Sequence, residues 1–134
     1  MKQRVALPIS GDNLIETLDF CSTVLIVDTE GAEVVRCERR TLNCAMPSLR
    51  ATFMVDCAVD LVLCGAISDQ LAMMLWHTGI EVVCGLRGED AMQVCNAYLR
   101  NDIARFFTPD FCGAFARGRH GCGRGRRFRG GRAR

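Results

Sequence analysis

The chain has 134 residues and a formal net charge of +2, and that small figure conceals two segments of opposite sign. Residues 1–112 carry nine Lys and Arg against fifteen Asp and Glu, a balance of −6, whereas residues 113–134 carry eight Arg and no acid, a balance of +8. An acidic body of ordinary domain size with a short basic tail excludes a secreted disulfide scaffold, a collagen-like chain and a coiled coil.

In chain order, Val5 to Ile9 is a short apolar strand ended by the turn Ser10-Gly11-Asp12-Asn13. The start Met1-Lys2-Gln3-Arg4 leads into that interrupted stretch alone, so no signal peptide is expected. Thr23 to Asp28 is β-branched and almost wholly apolar, a second strand. Thr29-Glu30-Gly31 then turns into a third strand over Ala32 to Cys37, which closes a hairpin. Charged Glu33, Arg36 and Glu38 mark that third strand as an exposed edge.

Beyond Pro47-Ser48 the period becomes helical, with Leu49, Phe53 and Cys57 predicted to face inward. Leu61 to Cys64 reads as a buried strand ended by Gly65. Ser68 caps a second helix with Leu71, Met74, Leu75 and Thr78 on one side, and Gly79 ends it. Ile80 to Cys84 is another buried strand before Gly85. Asp90 to Arg100 is a third helix, with Ala91, Val94, Cys95, Tyr98 and Leu99 inward. The order β-β-β-α-β-α-β-α predicts an α/β layer architecture with a five-stranded mixed sheet and right-handed crossovers. The apolar run from Asp60 to Trp76 is broken by Asp60 and Asp69, short of the roughly 20 residues of a membrane span.

Nine cysteines, an odd number, with no Cys-x-x-Cys, predict free thiols in a reducing compartment, the cytoplasm. Cys57 and Cys95 read as core. Cys64-Gly65 and Cys84-Gly85 end two consecutive parallel strands, which places their thiols roughly 5 Å apart at the sheet edge where α/β folds bind ligands. Cys21, in the loop before the second strand, reaches the same end. Such thiols read either as core or as soft ligands for copper(I), iron–sulfur or a mixed-metal sulfide cluster. His77 reads as a favourable charge at the end of its helix. Asp12 and Asp28 read as turn and strand-end residues, not as a nuclease metal pair.

Three stretches resemble the dinitrogenase iron–molybdenum cofactor biosynthesis family, of the NifX/NafY type. They are Val5-Ala6-Leu7-Pro8-Ile9-Ser10-Gly11-Asp12-Asn13, Leu25-Ile26-Val27-Asp28 and Val59-Asp60-Leu61-Val62-Leu63-Cys64-Gly65-Ala66-Ile67. The segment ending Thr78-Gly79-Ile80-Glu81-Val82-Val83 and the Gly/Arg tail with His120-Gly121-Cys122-Gly123 are similar to that family too. The resemblance implies a ribonuclease H-like three-layer fold. It also implies non-covalent binding or carriage of an iron–sulfur, iron–molybdenum or molybdenum–copper–sulfide cluster, without turnover. The family typically places His-Phe-Gly just before the second strand, as a cluster contact. Here Asp19-Phe20-Cys21 stands there, so an imidazole is replaced and a thiol added. Asn43 to Arg50 replaces the family's glycine-rich start of the first helix.

The expectation is therefore a non-enzymatic cytoplasmic accessory domain over residues 1–112 and a disordered basic tail over 113–134. Phe20, Cys21, Cys64, Gly65 and Cys84 are its cluster-binding residues. Cys21, Cys64, Cys84, His120 and Cys122 are its metal ligands, with Phe20 as a shield. Its expected partners are the cluster, an acidic recipient or assembly protein and a second copy of the chain, with no membrane. The alternative is a module that binds nucleic acid or a partner protein through the Arg-rich tail and Phe128.

Overall fold

Val5, Leu7 and Ile9 alternate with Ala6 and Pro8 in the first strand, β1 (Lys2–Ser10), and all five are buried. A strand apolar on both sides must be covered on both faces, and the rest of the chain meets that demand. The computed structural model describes residues 2–11, 14–15, 17–43, 46–107 and 128–129. After β1 come β2 (Leu14–Ile15), β3 (Thr23–Glu30), β4 (Glu33–Thr41), α1 (Pro47–Asp56) and β5 (Leu61–Leu63). Then follow α2 (Asp69–His77), β6 (Glu81–Val83), α3 (Ala91–Leu99), a 3-10 turn (Ile103–Phe106) and β7 (Phe128–Arg129).

The sheet runs β4-β3-β1-β5-β6-β7, with β2 paired to β1. β3 is antiparallel to β1, with Val5 opposite Val27, and to β4. β5 is parallel to β1, with Val5 opposite Leu61, and to β6, with Leu63 opposite Val83. The predicted mixed sheet is present, but among the described residues it has seven strands instead of five, because two two-residue strands join it. β2 folds back on β1 after a turn at Gly11, pairing Ile15 with Ile9. β7 lies within the tail predicted to be disordered and pairs Phe128 with Val82 and Arg129 with Glu81. The other residues of 113–134 lie outside the described residues.

Side-chain alternation gives each face its own core. Ala6, Ile26, Val62 and Val82 pack with Met54, Leu71 and Leu75 of α1 and α2. Val5, Leu7, Leu61 and Leu63 pack with Ala91, Val94 and Cys95 of α3. Helices therefore cover both faces of the sheet. β4 is exposed along most of its length, as its charges predict, but it runs to Thr41, four residues beyond the predicted end. Those residues are polar, and their pairing with β3 extends the strand where hydropathy gives no sign of it.

Helix starts follow their caps. The Leu71 amide donates to Ser68 Oγ (3.2 Å), and the Met92 amide donates to Asp90 Oδ1 (3.0 Å). In α1 the predicted inward face holds at Cys57, which is buried, but is turned at its start. Leu49 is half exposed, Phe53 is partly buried, and the buried positions are Arg50, Ala51 and Met54. Thr78, predicted inward on α2, is its exposed C-cap instead.

Two measurements probe this frame. Ala58 follows α1 with φ of 58°, the left-handed region that disfavours a Cβ by about 1–2 kcal/mol. Ala58→Gly should raise stability in urea unfolding by about 0.5–1 kcal/mol, since glycine's extra unfolded-state freedom offsets part of the relief. Burial, with a smaller contribution from Cys37, pushes the Cys95 thiol from its ordinary 9.0 up to about 11. Below pH 9 the contribution of the neutral thiol is fully present. Above it the unfolded chain ionises first, and stability falls as pH rises towards 11, on the order of 2 kcal/mol from this thiol. Urea titrations at pH 8 and 11 check this, and Cys95→Ala should lessen the fall.

Candidate functional site

Parallel pairing sends the carboxyl ends of β1, β5 and β6 to one edge of the sheet. Because β3 is antiparallel to β1, its amino end, with Thr23 opposite Ile9, lies at the same edge. The loop 17–22 that feeds β3 is thereby brought beside Cys64 and Cys84. Topology gathers Cys21, Cys64, Gly65 and Cys84 in one neighbourhood, with Phe20 on the loop next to Cys21.

The neighbourhood is closed. Cys21, Cys64 and Cys84 belong to a single apolar cluster, with exposures of 2%, 0% and 0%. The backbone continues to pair beyond the two strands. The Cys64 amide donates to Val83 O (3.0 Å), the Gly85 amide to Gly65 O (2.8 Å) and the Leu86 amide to Cys64 O (3.1 Å). Burial, helped by Asp19 and Cys21, pushes the Cys64 thiol far above the ordinary cysteine range, so it is a neutral thiol at physiological pH. Cys84 is disulfide-bonded, unlike the free thiol predicted for it, whereas Cys21, Cys37, Cys57, Cys64 and Cys95 are free. Among the described residues no three His, Cys, Asp or Glu side chains form a group able to hold a metal ion. His120 and Cys122 lie outside the described residues.

The loop itself is tied down on two sides. The Asp19 carboxylate accepts from the Ser68 amide (2.7 Å) and the Ser68 hydroxyl (2.6 Å), which joins the loop to the amino end of α2. Leu18 N–H donates to Ala66 O (3.2 Å) beside it. Phe20, the predicted shield, lies between these anchors and is 83% exposed.

The second tie is Arg50, which the sequence analysis did not single out. It is 94% buried on the first turn of α1, since its relative exposure is 6%. Its Nη1 donates to Leu18 O (2.9 Å), Cys21 O (2.8 Å) and Cys21 Sγ (3.5 Å), while Cys21 Sγ in turn donates to Leu18 O (3.6 Å). Its Nε has no partner, and it forms no ion pair among the described residues. A buried cation held only by neutral groups, two carbonyl oxygens and a thiol, is an unusual arrangement, since buried charges are ordinarily paired. The sequence signal for it is slight, an arginine one position from a predicted inward leucine.

At the opposite end of the sheet a cavity of about 520 Å³ is lined by residues that include Lys2, Arg4, Asp28, Glu30, Arg36 and Asp60. Asp28 there is an ion-pair partner, 2.7 Å from Arg4 Nε, and that bond holds the Arg4 guanidinium above its ordinary pKa. Arg4 Nη1 also donates to Cys57 O (2.8 Å), tying β1 to the end of α1.

A family model described as dinitrogenase iron-molybdenum cofactor matches residues 1–101. No curated protein matches the sequence. Among solved structures, PH0822 is 24% identical with a TM-score of 0.69, covering 74% of this chain and 90% of that one. The apo form of the orange protein from Desulfovibrio gigas is 19% identical with a TM-score of 0.65, over 75% of this chain and 89% of that one. A Methanocaldococcus jannaschii protein with a provisional dinitrogenase assignment is 19% identical with a TM-score of 0.61, over 76% and 92% of the two chains. At these identities the likeness to solved structures shows a shared fold.

The loop's attachment is directly testable. Asp19→Ala removes both bonds to Ser68 and should lower stability by about 1–3 kcal/mol in urea unfolding. Hydrogen exchange should quicken at the Ser68 amide, with Val62 in the sheet unchanged.

Proposed function

The chain belongs to the dinitrogenase iron-molybdenum cofactor family, and on that premise we propose that it is a non-enzymatic accessory protein. Its role is to bind or carry an iron–sulfur, iron–molybdenum or related metal–sulfide cluster as cargo for assembly. The observation that carries this reading is the family match over residues 1–101, which takes in every element from β1 to α3. The order β4-β3-β1-β5-β6, with β3 antiparallel to its neighbours, supports reading the fold as ribonuclease H-like.

The cargo is assigned to the carboxyl edge of the sheet, where strand ends and a connecting loop meet, as ligands do in α/β folds. Phe20 offers an exposed apolar surface there. Cys21 and Cys64 are the soft donors, and Gly65 gives close approach to the end of β5. Both thiols are covered, so ligation requires the loop 17–22 to move and Cys64 to lose its proton. Before that step the cargo is held without covalent bonds. Cys84 joins the donor set once its disulfide is reduced, and His120 and Cys122 supply further donors from the tail. No described helix is long and apolar enough to cross a membrane. An acidic recipient would meet the tail, whose +8 charge suits such a partner.

Anaerobic purification followed by iron, molybdenum, copper and acid-labile sulfide analysis tests the reading. After reconstitution with iron, sulfide and molybdate or copper, the full chain should retain metal and sulfide in fixed ratio through gel filtration. Cys21→Ala and Cys64→Ala should each lower the retained metal severalfold. A wild-type chain that emerges without metal from every reconstitution overturns it.

A further inference from the structure

At the end of the sheet opposite the cargo edge, and independently of the reading above, we propose that the cavity binds one half of a small disulfide of the glutathione class and delivers it to the Cys57 thiol. Strand register lays out the floor of this cavity as rows of charge. Lys2 stands opposite Glu30, and Arg4 opposite Asp28, which on its other side faces Arg36 of β4. Lys2 and Arg4 of β1 and Arg36 of β4 thereby flank a row of carboxylates on β3, with roughly 4.8 Å from strand to strand. The space of about 520 Å³ falls within the roughly 300–1,000 Å³ of small-molecule sites. Two backbone irregularities border it, the left-handed Ala58 and Val35, which a bulge in β4 leaves unpaired.

Part of this charge is spent within the chain, since Arg4 is committed to Asp28 and to Cys57 O. Lys2 and Glu30 form no ion pair among the described residues, and the Arg36 side chain is 68% exposed, 3.4 Å from Glu38. An ammonium and a guanidinium are thus left for carboxylates, and a carboxylate for an amino group. A ligand of single sign meets repulsion from half the lining, whereas a γ-glutamyl tripeptide, with two carboxylates and an ammonium, matches both signs. Arg4, Asp28 and Arg36 also line a second cavity of about 50 Å³, so the two adjoin, and Cys57 and Arg40 line the second. Cys57 is a free thiol, 8% exposed, and Arg40 Nη1 donates to its Sγ (3.8 Å). A guanidinium beside the sulfur balances the charge that the attacking thiolate carries. In the exchange the Cys57 sulfur bonds one sulfur of the disulfide as the S–S bond breaks. The other half leaves as a thiolate and takes up the proton that the Cys57 thiol gave up, and excess reduced thiol reverses the step.

The test incubates the full-length chain with glutathione disulfide or with the cationic disulfide cystamine at low ionic strength. Adducts are mapped by peptide mass spectrometry at Cys57 and at the exposed free thiol Cys37, a reference within the same molecule. Glutathione should attach to Cys57 and come off with excess reduced thiol. The ratio of glutathione to cystamine rates should be about tenfold higher at Cys57 than at Cys37. S-methylglutathione, which keeps the tripeptide's charges and has no exchangeable sulfur, should slow the Cys57 reaction saturably and leave Cys37 unaltered. Lys2→Gln combined with Arg36→Gln, at two exposed positions, should abolish both the preference and the protection at Cys57. Glutathione on Cys37 but not on Cys57, equal rate ratios at the two thiols, or no protection by S-methylglutathione overturns the proposal. It is equally overturned if the double variant keeps the wild-type preference and protection.

Discussion

β1 is paired on both edges and buried on both faces, and this double demand governs everything else in the molecule. Its parallel partner, β5, requires a crossover, so α1 and then α2 must lie across one face. Its antiparallel partner, β3, arrives by way of residues 11–22, which include β2, and needs no helical crossover. The two kinds of pairing deliver strand ends and a connecting loop to the same edge. That edge is where α/β architectures ordinarily place ligands, and here it falls there because of hydrogen-bond direction, before any chemistry is specified.

Much of this was legible in the residues. The central strands are nearly unbroken apolar runs, and Ser68 and Asp90 announce the starts of α2 and α3 because their side chains do what N-caps do. The gathering of Cys21, Cys64 and Cys84 follows from strand order alone. Burial of Cys64 and Cys84 was legible as one of two readings, core or ligand, and the structure places both in the core, whereas burial of Cys21 was not read. Whether a cysteine at a strand end faces a crevice or a core depends on the loop laid over it, and Asp19 fastens that loop to a residue 49 positions away. Arg50 escaped notice for a related reason. An arginine on a helix reads as solvent-facing, and its burial depends on carbonyls presented by a segment distant in sequence. The far end of β4 was missed because its polar residues are ordered by pairing with β3, to which hydropathy is blind.

The opposite ends of the sheet treat charge in contrasting ways. Around Arg4 the cations and carboxylates meet in pairs, with Asp28 beside Arg4 and Glu38 beside Arg36 and Arg40. Such partly exposed pairs add little to stability individually, yet they leave local charge balanced. Around Arg50 there is no such balance, and two backbone oxygens and a thiol do what a carboxylate would do elsewhere. Net charge over the whole body, −6, gives no hint of this contrast. A chain can be acidic in sum and still bury a cation that no carboxylate pairs with among the described residues.

The backbone bonds from Gly85 to Gly65 and from Leu86 to Cys64 have a mechanical consequence. They lock one wall of the carboxyl edge, since parting the ends of β5 and β6 would break the sheet itself. The facing wall, residues 17–22, hangs chiefly on side-chain bonds, two from Ser68 to Asp19 and the fan from Arg50. The edge therefore works as a vice with one fixed jaw. For the second jaw to open, the Asp19 carboxylate and the Arg50 guanidinium must let go of their partners.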